Sequence, residues 1–92
     1  MKYIVVKDAM AQENIFLFSS TIEHKDMLMR IVRLADNLEQ AKTFLVSAGN
    51  IFFDAWKDEP TIMYCNGESI TLGVSSRGDE DTALLMATLN AG

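Results

Sequence analysis

The sequence predicts a single α+β domain, in which a curved antiparallel sheet of about five strands carries its helices packed on one face. Three observations predict this class. Short runs rich in Ile, Val and Phe alternate with polar turns, and one longer stretch has helical spacing instead. The chain has 92 residues, 49% of them hydrophobic and 23% charged, which suits one modest core. We therefore predict one domain, residues 1–92, with the element order ββ-α-βββ-α.

The first two strands are predicted at residues 2–7 and 15–19. Both runs are short and dominated by β-branched and aromatic side chains, a composition that favours strands over helices. The polar stretch 8–14 separates them and predicts a loop, so we expect the two strands to form an antiparallel hairpin.

A helix is predicted next, because the apolar spacing changes after the segment 20–23 (Ser-Thr-Ile-Glu), whose pattern is that of a capping box. Apolar residues then recur every three or four positions, which places them on one helical face; they are Met27, Ile31, Leu34, Leu38, Ala41 and Leu45. The helix begins near residue 23 and continues into the thirties. Asp36 and Asn37 are unfavourable inside a helix, so the sequence leaves open whether it ends there or continues to residue 42.

Strand composition returns in four runs, which are residues 43–47, 51–56, 61–65 and 68–74. Between the first two runs, Gly49 and Asn50 mark either a tight turn or a β-bulge that re-aims one continuous strand. Between the last two, Asn66 and Gly67 form a dipeptide typical of the type I′ turn in two-residue hairpins. We expect this half of the chain to supply the remaining strands of the sheet.

The last element is predicted to be a helix. Asp79, Glu80 and Asp81 precede a stretch of Ala, Leu and Met at helical spacing, which ends near Asn90. Carboxylates at the start of a helix are favourable because they lie at the positive end of its dipole. The acidic cluster therefore fits a helix start.

The charge balance argues against some classes of function. Eight Lys and Arg face thirteen Asp and Glu, which gives a net charge of −5. Proteins that bind nucleic acid or anionic membranes neutralise phosphates with clustered cations, so we expect direct binding to neither. No apolar run is long enough to span a bilayer, and the start of the chain lacks the pattern of a signal peptide. Together with the lone Cys65, which allows no intrachain disulfide, this predicts a cytoplasmic protein.

Residues that carry chemistry are few. One His and one Cys cannot build a zinc site, and neither a calcium loop nor a glycine-rich phosphate loop is present, so we predict no metal and no cofactor. An enzyme is therefore the less favoured class. Its best candidate is a ligand site formed by His24, Asp26, Glu68 and Ser69, which requires a helix start and a hairpin to converge. The alternative interpretation assigns these residues to helix capping and turn formation.

A cluster of aromatic residues predicts protein binding instead. Phe52, Phe53 and Trp56 lie in one predicted strand, where neighbouring side chains point to opposite faces of the sheet. A domain of 92 residues has limited material to cover both faces, so we expect one or more of these rings at the surface, as in protein interfaces. The competing interpretation buries all three rings under the terminal helix.

Three short segments also follow one another in a recognisable order. They are H-x-D at residues 24–26, S-A-G at residues 47–49 and G-E-S-x-x-L-G at residues 67–73. Their order and spacing resemble those of a family of small, uncharacterised proteins encoded by phages and prophages of proteobacteria. The resemblance implies a phage or prophage origin and a bacterial cytoplasm, but no activity. Asn50 stands where the family more often has an aromatic residue, and the segment 30–45 is longer, so a shared ligand site is not implied.

The leading expectation is an accessory protein of phage or prophage type that binds another protein and forms a homodimer. An inhibitor of a host or defence factor fits this class. The sheet must end in edge strands, whose unpaired backbone groups can pair with a partner. Two other classes stay open: the ligand-binding module or small enzyme described above, and an acidic mimic of nucleic acid that gathers Asp54, Asp58, Glu59 and residues 79–81 on one face.

Overall fold

The computed structural model describes residues 1–54 and 62–91. Within them the chain forms strands and helices in the mixed order expected of the α+β class, which is confirmed. The elements are β1 (Lys2–Lys7), β2 (Glu13–Phe18), α1 (His24–Ile31), α2 (Leu38–Lys42), β3 (Leu45–Asp54), β4 (Ile62–Asn66), β5 (Glu68–Ser69), β6 (Val74–Ser75) and α3 (Asp79–Asn90).

Four strands form the main antiparallel sheet in the order β2-β1-β3-β4, and β5 pairs with β6 in a small separate sheet. The pairing of β1 with β3 shifts register between Val5 and Val6, whose partners are Ser47 and Leu45. Val46 is the extra residue of a β-bulge at this point. The bulge therefore lies earlier than the Gly-Asn pair, and β3 continues through that pair without a turn.

The helices pack on both faces of the main sheet, whereas the sequence predicted one face. Residues 3–6 of β1 are all buried. The even-numbered ones join Leu28 of α1 and Ala41 of α2 in one apolar cluster, and the odd-numbered ones join Leu85 of α3 in another. We call these sides of the sheet the α1 face and the α3 face. The physical reason is that a central strand with an apolar residue at every position needs cover on both sides.

The helical stretch is interrupted before residue 42, as the sequence allowed, but the first helix ends five residues before Asp36. α1 ends at Ile31, and α2 begins after Asn37, whose Oδ1 accepts a hydrogen bond from the backbone N–H of Gln40 at 3.0 Å. Glu23 is the N-cap of α1, but its side chain makes no capping bond, so the predicted capping box does not form. Because α1 ends early, Leu34 lies outside both helices and is 96% exposed.

The predicted hairpin at Asn66 and Gly67 does not form, because β4 pairs with β3 and β5 pairs with β6. Gly67 has a φ of 88°, which turns the chain away from the main sheet. The backbone N–H of Cys65 in β4 donates instead to Oγ1 of Thr82 in α3 at 2.8 Å. The terminal helix therefore contacts the edge at which residues 68–74 were expected to pair.

Candidate functional site

A buried polar network connects the first strand with the last helix. The hydroxyl of Tyr3 donates to Oδ2 of Asp81 at 2.5 Å. Arg77 donates to the same carboxylate from its backbone N–H at 3.0 Å and from Nε at 2.7 Å. Its guanidinium also binds Glu13 through two hydrogen bonds of 3.0 and 2.9 Å. Tyr3 and Asp81 are completely buried, so the centre of the network is closed to solvent.

The surroundings of these groups fix their charge. Burial raises the pKa of Asp81, but hydrogen bonds from Tyr3 and Arg77 outweigh burial and hold the pKa below its usual value. Burial and the hydrogen bond to Asp81 raise the pKa of Tyr3, and hydrogen bonds to Glu13 and Asp81 raise the pKa of Arg77. At neutral pH the network therefore holds a carboxylate, a neutral phenol and a cation. This is the state of a structural contact, because none of the three groups changes charge near pH 7.

Two of the short sequence segments, H-x-D at residues 24–26 and S-A-G at residues 47–49, lie close to this network. Gly49 is the register partner of Tyr3, and a Cβ added to it would lie 2.7 Å from the carbonyl oxygen of Asn66 and 3.3 Å from the Tyr3 ring, so a larger residue does not fit. The Nε2–H of His24 donates to the carbonyl of Gly49 at 2.9 Å, which connects the H-x-D segment with the S-A-G segment. These contacts give His24 and Gly49 structural roles in the fold.

Two of the four residues predicted for a ligand site meet in one cleft. This cleft has a volume of about 260 Å³ and is lined by Lys2, Glu23, His24, Asn50, Glu68, Ile70 and Thr71. Asp26 and Ser69 are not among the lining residues. Asp26 is exposed on α1, and Ser69 is buried with its Oγ accepting a hydrogen bond from the backbone N–H of Leu72 at 3.3 Å. The start of α1 and the segment after β4 thus bring His24 and Glu68 together, but not Asp26 and Ser69.

His24 is a neutral imidazole in this cleft. Burial lowers its pKa, the nearby Lys2 acts in the same direction, and the hydrogen bond to Gly49 opposes both. Because the carbonyl of Gly49 can only accept, Nε2 carries the proton and Nδ1 is the unprotonated nitrogen. The ring is therefore not held as a cation, and Nδ1 is its remaining hydrogen-bond acceptor.

This charge state leads to a prediction for NMR. His24 is the single His of the chain, so its ring signals are unambiguous, and we expect a titration midpoint below the usual value of about 6.5. As pH falls below that value, the unfolded state binds a proton that the folded state does not, so the free energy of unfolding should decrease. A midpoint at or above the usual value would contradict the buried position of the ring.

The aromatic residues predicted for binding lie at the surface where the structure describes them. Phe52 and Phe53 are 42% and 53% exposed. They point to opposite faces of the sheet: Phe52 stacks on its register partner Tyr64 with ring centroids 5.6 Å apart, and Phe53 pairs with Met63. Trp56 lies outside the described residues. The role of these rings in binding stays a prediction.

The sequence did not predict a second apolar surface, which lies on the α1 face beside β2. It is a groove of about 540 Å³, here called the apolar groove, and its apolar lining residues are Val6, Ala9, Phe16, Ile31, Val32, Leu34 and Phe44. Phe16, Leu34 and Phe44 are 39%, 96% and 38% exposed. The one available signal was the pair Asp36 and Asn37, because a helix that ends before it leaves Leu34 without cover.

The acidic cluster proposed as a nucleic-acid mimic is not a surface cluster throughout. Asp81 is completely buried and bound by Arg77, so only Asp79 and Glu80 of this segment are exposed. Asp58 and Glu59 lie outside the described residues, as does the side chain of Asp54. Asp81 therefore does not belong to a charged surface of this kind, because a buried carboxylate cannot contact a partner.

Comparisons with family models, with curated proteins and with solved structures find no match to this chain. In the part of the chain that the structure describes, no group of three or more His, Cys, Asp or Glu is placed to hold a metal ion. The same residues include no helix that is both long and apolar enough to cross a membrane.

Proposed function

We propose that this protein is an accessory protein that acts by binding another protein. The observation that supports this function is the apolar groove, where Phe16, Leu34 and Phe44 leave large apolar side chains exposed around one concavity. Concave apolar surfaces are preferred positions for the few side chains that dominate binding energy at protein interfaces. Phe52 and Phe53 add two exposed rings, one on each face of the sheet, beyond the opposite end of β1.

The proposed setting follows from the resemblance to phage and prophage proteins. It places the protein in the cytoplasm of a bacterium, where an inhibitor of a host or defence factor would use such a surface. The unpaired thiol of Cys65, which is buried, is compatible with a reducing compartment. A homodimer is the other use of the same surfaces.

Substitution of Leu34 tests the proposed function. In affinity purification from expressing bacteria, we expect Leu34→Glu to reduce recovery of the specific partner at least about tenfold, because the new carboxylate must lose its hydration in an apolar contact. Leu34 is 96% exposed, so the substitution should leave the fold intact.

Ile70→Glu is the matched control, because Ile70 is 87% exposed and lines the cleft instead of the groove. We expect it to retain the partner. Phe53→Glu, measured alongside, reports on the exposed ring of Phe53. The same partner recovered equally with wild type and with Leu34→Glu would exclude the apolar groove as the binding surface.

A second candidate function is the binding of a small polar ligand in the cleft. The observation that favours it is the convergence of His24 and Glu68 with Lys2 around one volume of about 260 Å³, close to the lower size limit of ligand sites. Titration with a set of small polar compounds should then shift the His24 ring signals in wild type and not in Glu68→Gln. Unchanged ring signals across the set would reject this candidate.

A further inference from the structure

We propose that β2 binds an extended, acidic segment of the partner protein as an added strand of the main sheet, with one large apolar side chain of that segment in the apolar groove. This inference rests on the proposed function and gives the chemistry of the partner. Edge strands bind extended peptides in this way, because backbone hydrogen bonds supply affinity and pockets for alternate side chains supply specificity.

β2 is the open edge of the main sheet. Among the described residues it pairs with β1 alone. The opposite edge, β4, differs because the N–H of Cys65 is bound by Oγ1 of Thr82 in α3. β2 therefore offers a row of backbone donors and acceptors on its outer side.

The apolar groove lies on the face that an added strand would share. Asn14 and Phe16 of β2 line the groove and are the register partners of Val6 and Ile4, which pack on the α1 face. A new strand would lie about 4.8 Å from β2, with every second side chain on this same face. A large apolar side chain next to Phe16 can therefore enter the groove.

The charges around the groove favour an acidic partner. The chain has a net charge of −5, yet Lys7 and Arg33 line this groove, and neither takes part in an ion pair among the described residues. The one acidic lining residue, Asp8, uses Oδ1 to accept hydrogen bonds of 2.9 and 3.0 Å from the backbone N–H groups of Met10 and Gln12. With the charge of Asp8 counted, the lining still carries one more positive than negative charge, which a carboxylate on the incoming segment would balance.

The same charges make a second copy of the chain the less suitable occupant. The acidic residue of β2 is Glu13, and its carboxylate is already bound by both terminal nitrogens of Arg77. A second β2 would therefore bring the groove no free carboxylate, and the two copies would each carry a net charge of −5. Self-association is an outcome that the test must distinguish.

The test begins with selection of eight-residue peptides from a randomised displayed library against the full chain. We expect a consensus with one large apolar residue flanked by Asp or Glu.

A synthetic peptide with this consensus should bind Leu34→Glu at least about tenfold more weakly than wild type. It should bind Ile70→Glu with the same affinity as wild type. Arg33→Gln should weaken binding and its salt dependence, whereas Lys25→Gln, at an α1 residue that does not line the groove, should change neither.

Peptide N-methylation tests the strand geometry directly. Methyl groups on alternate backbone nitrogens, those facing β2, should abolish binding, and methyl groups on the intervening nitrogens should not. Absence of any enriched peptide, a consensus without acidic residues, or indifference to methylation would overturn the proposal. Sedimentation that shows a dimer competing with the peptide would assign the edge to a second copy. If recovery of the partner depends on Leu34 but no peptide binds, the proposed function stands and only the strand-addition inference is rejected.

Discussion

Asp81→Ala is expected to lower the free energy of unfolding by about 3 kcal/mol, because it removes the acceptor at the centre of a buried polar network. The backbone N–H and Nε of Arg77 both lose their partner, and the hydroxyl of Tyr3 keeps only the oxygen of Ser76 at 2.6 Å. Urea unfolding at pH 7 measures this loss.

Asp79→Ala is the control for this variant. Asp79 belongs to the same first turn of α3 but is exposed, so its removal changes only the interaction with the helix dipole and should cost much less. Equal losses from the two substitutions would show that the network does not stabilise the fold.

The effect of Asp81 also depends on pH in a defined direction. Its pKa is lower in the folded than in the unfolded state, so its stabilising effect is complete above the ordinary value near 4 and decreases as pH falls through the folded value. The difference in stability between wild type and Asp81→Ala should therefore shrink below pH ~4.

The second large effect is expected from Leu28→Ala, which should lower the free energy of unfolding by about 3 kcal/mol. Leu28 is completely buried between α1 and the sheet, and truncation leaves a cavity there. Leu34→Ala makes the same chemical change six positions later at a side chain that is 96% exposed, and it should change stability by less than about 0.5 kcal/mol. Comparable losses in thermal unfolding would contradict the early end of α1.

These two leucines show how far local patterns predict the fold. The periodicity placed Leu34 on the buried face because it assumed one continuous helix, and that assumption left Leu28 off the apolar stripe. The end of α1 at Ile31 and the capping of α2 by Asn37 break the phase between the two stretches. Residue types therefore predicted which elements form. Which helical residues are buried depended on the break between α1 and α2, and the sequence was compatible with this break but did not require it.

Contacts between distant segments were less predictable. Asp81 fits a helix start by its position alone, but its contact with Tyr3 joins residues 78 positions apart, and no local pattern encodes such a pairing. The run of apolar residues at 3–6 was an available signal for burial on both faces. His24 and Glu68, half of the set named for the less favoured ligand site, line the same cleft. Asp26 and Ser69 take other positions because helix and turn geometry orient them elsewhere.

The contact between Tyr3 and Asp81 has a consequence for synthesis on the ribosome. Tyr3 and Asp81 are 78 positions apart. At translation speeds of about 5 to 20 residues per second, Asp81 is therefore added roughly 4 to 16 seconds after Tyr3. During that interval the apolar side chains of the α3 face have no helix to cover them. The nascent chain therefore exposes an apolar surface that chaperones can recognise. This surface is covered only when α3 has emerged from the ribosome.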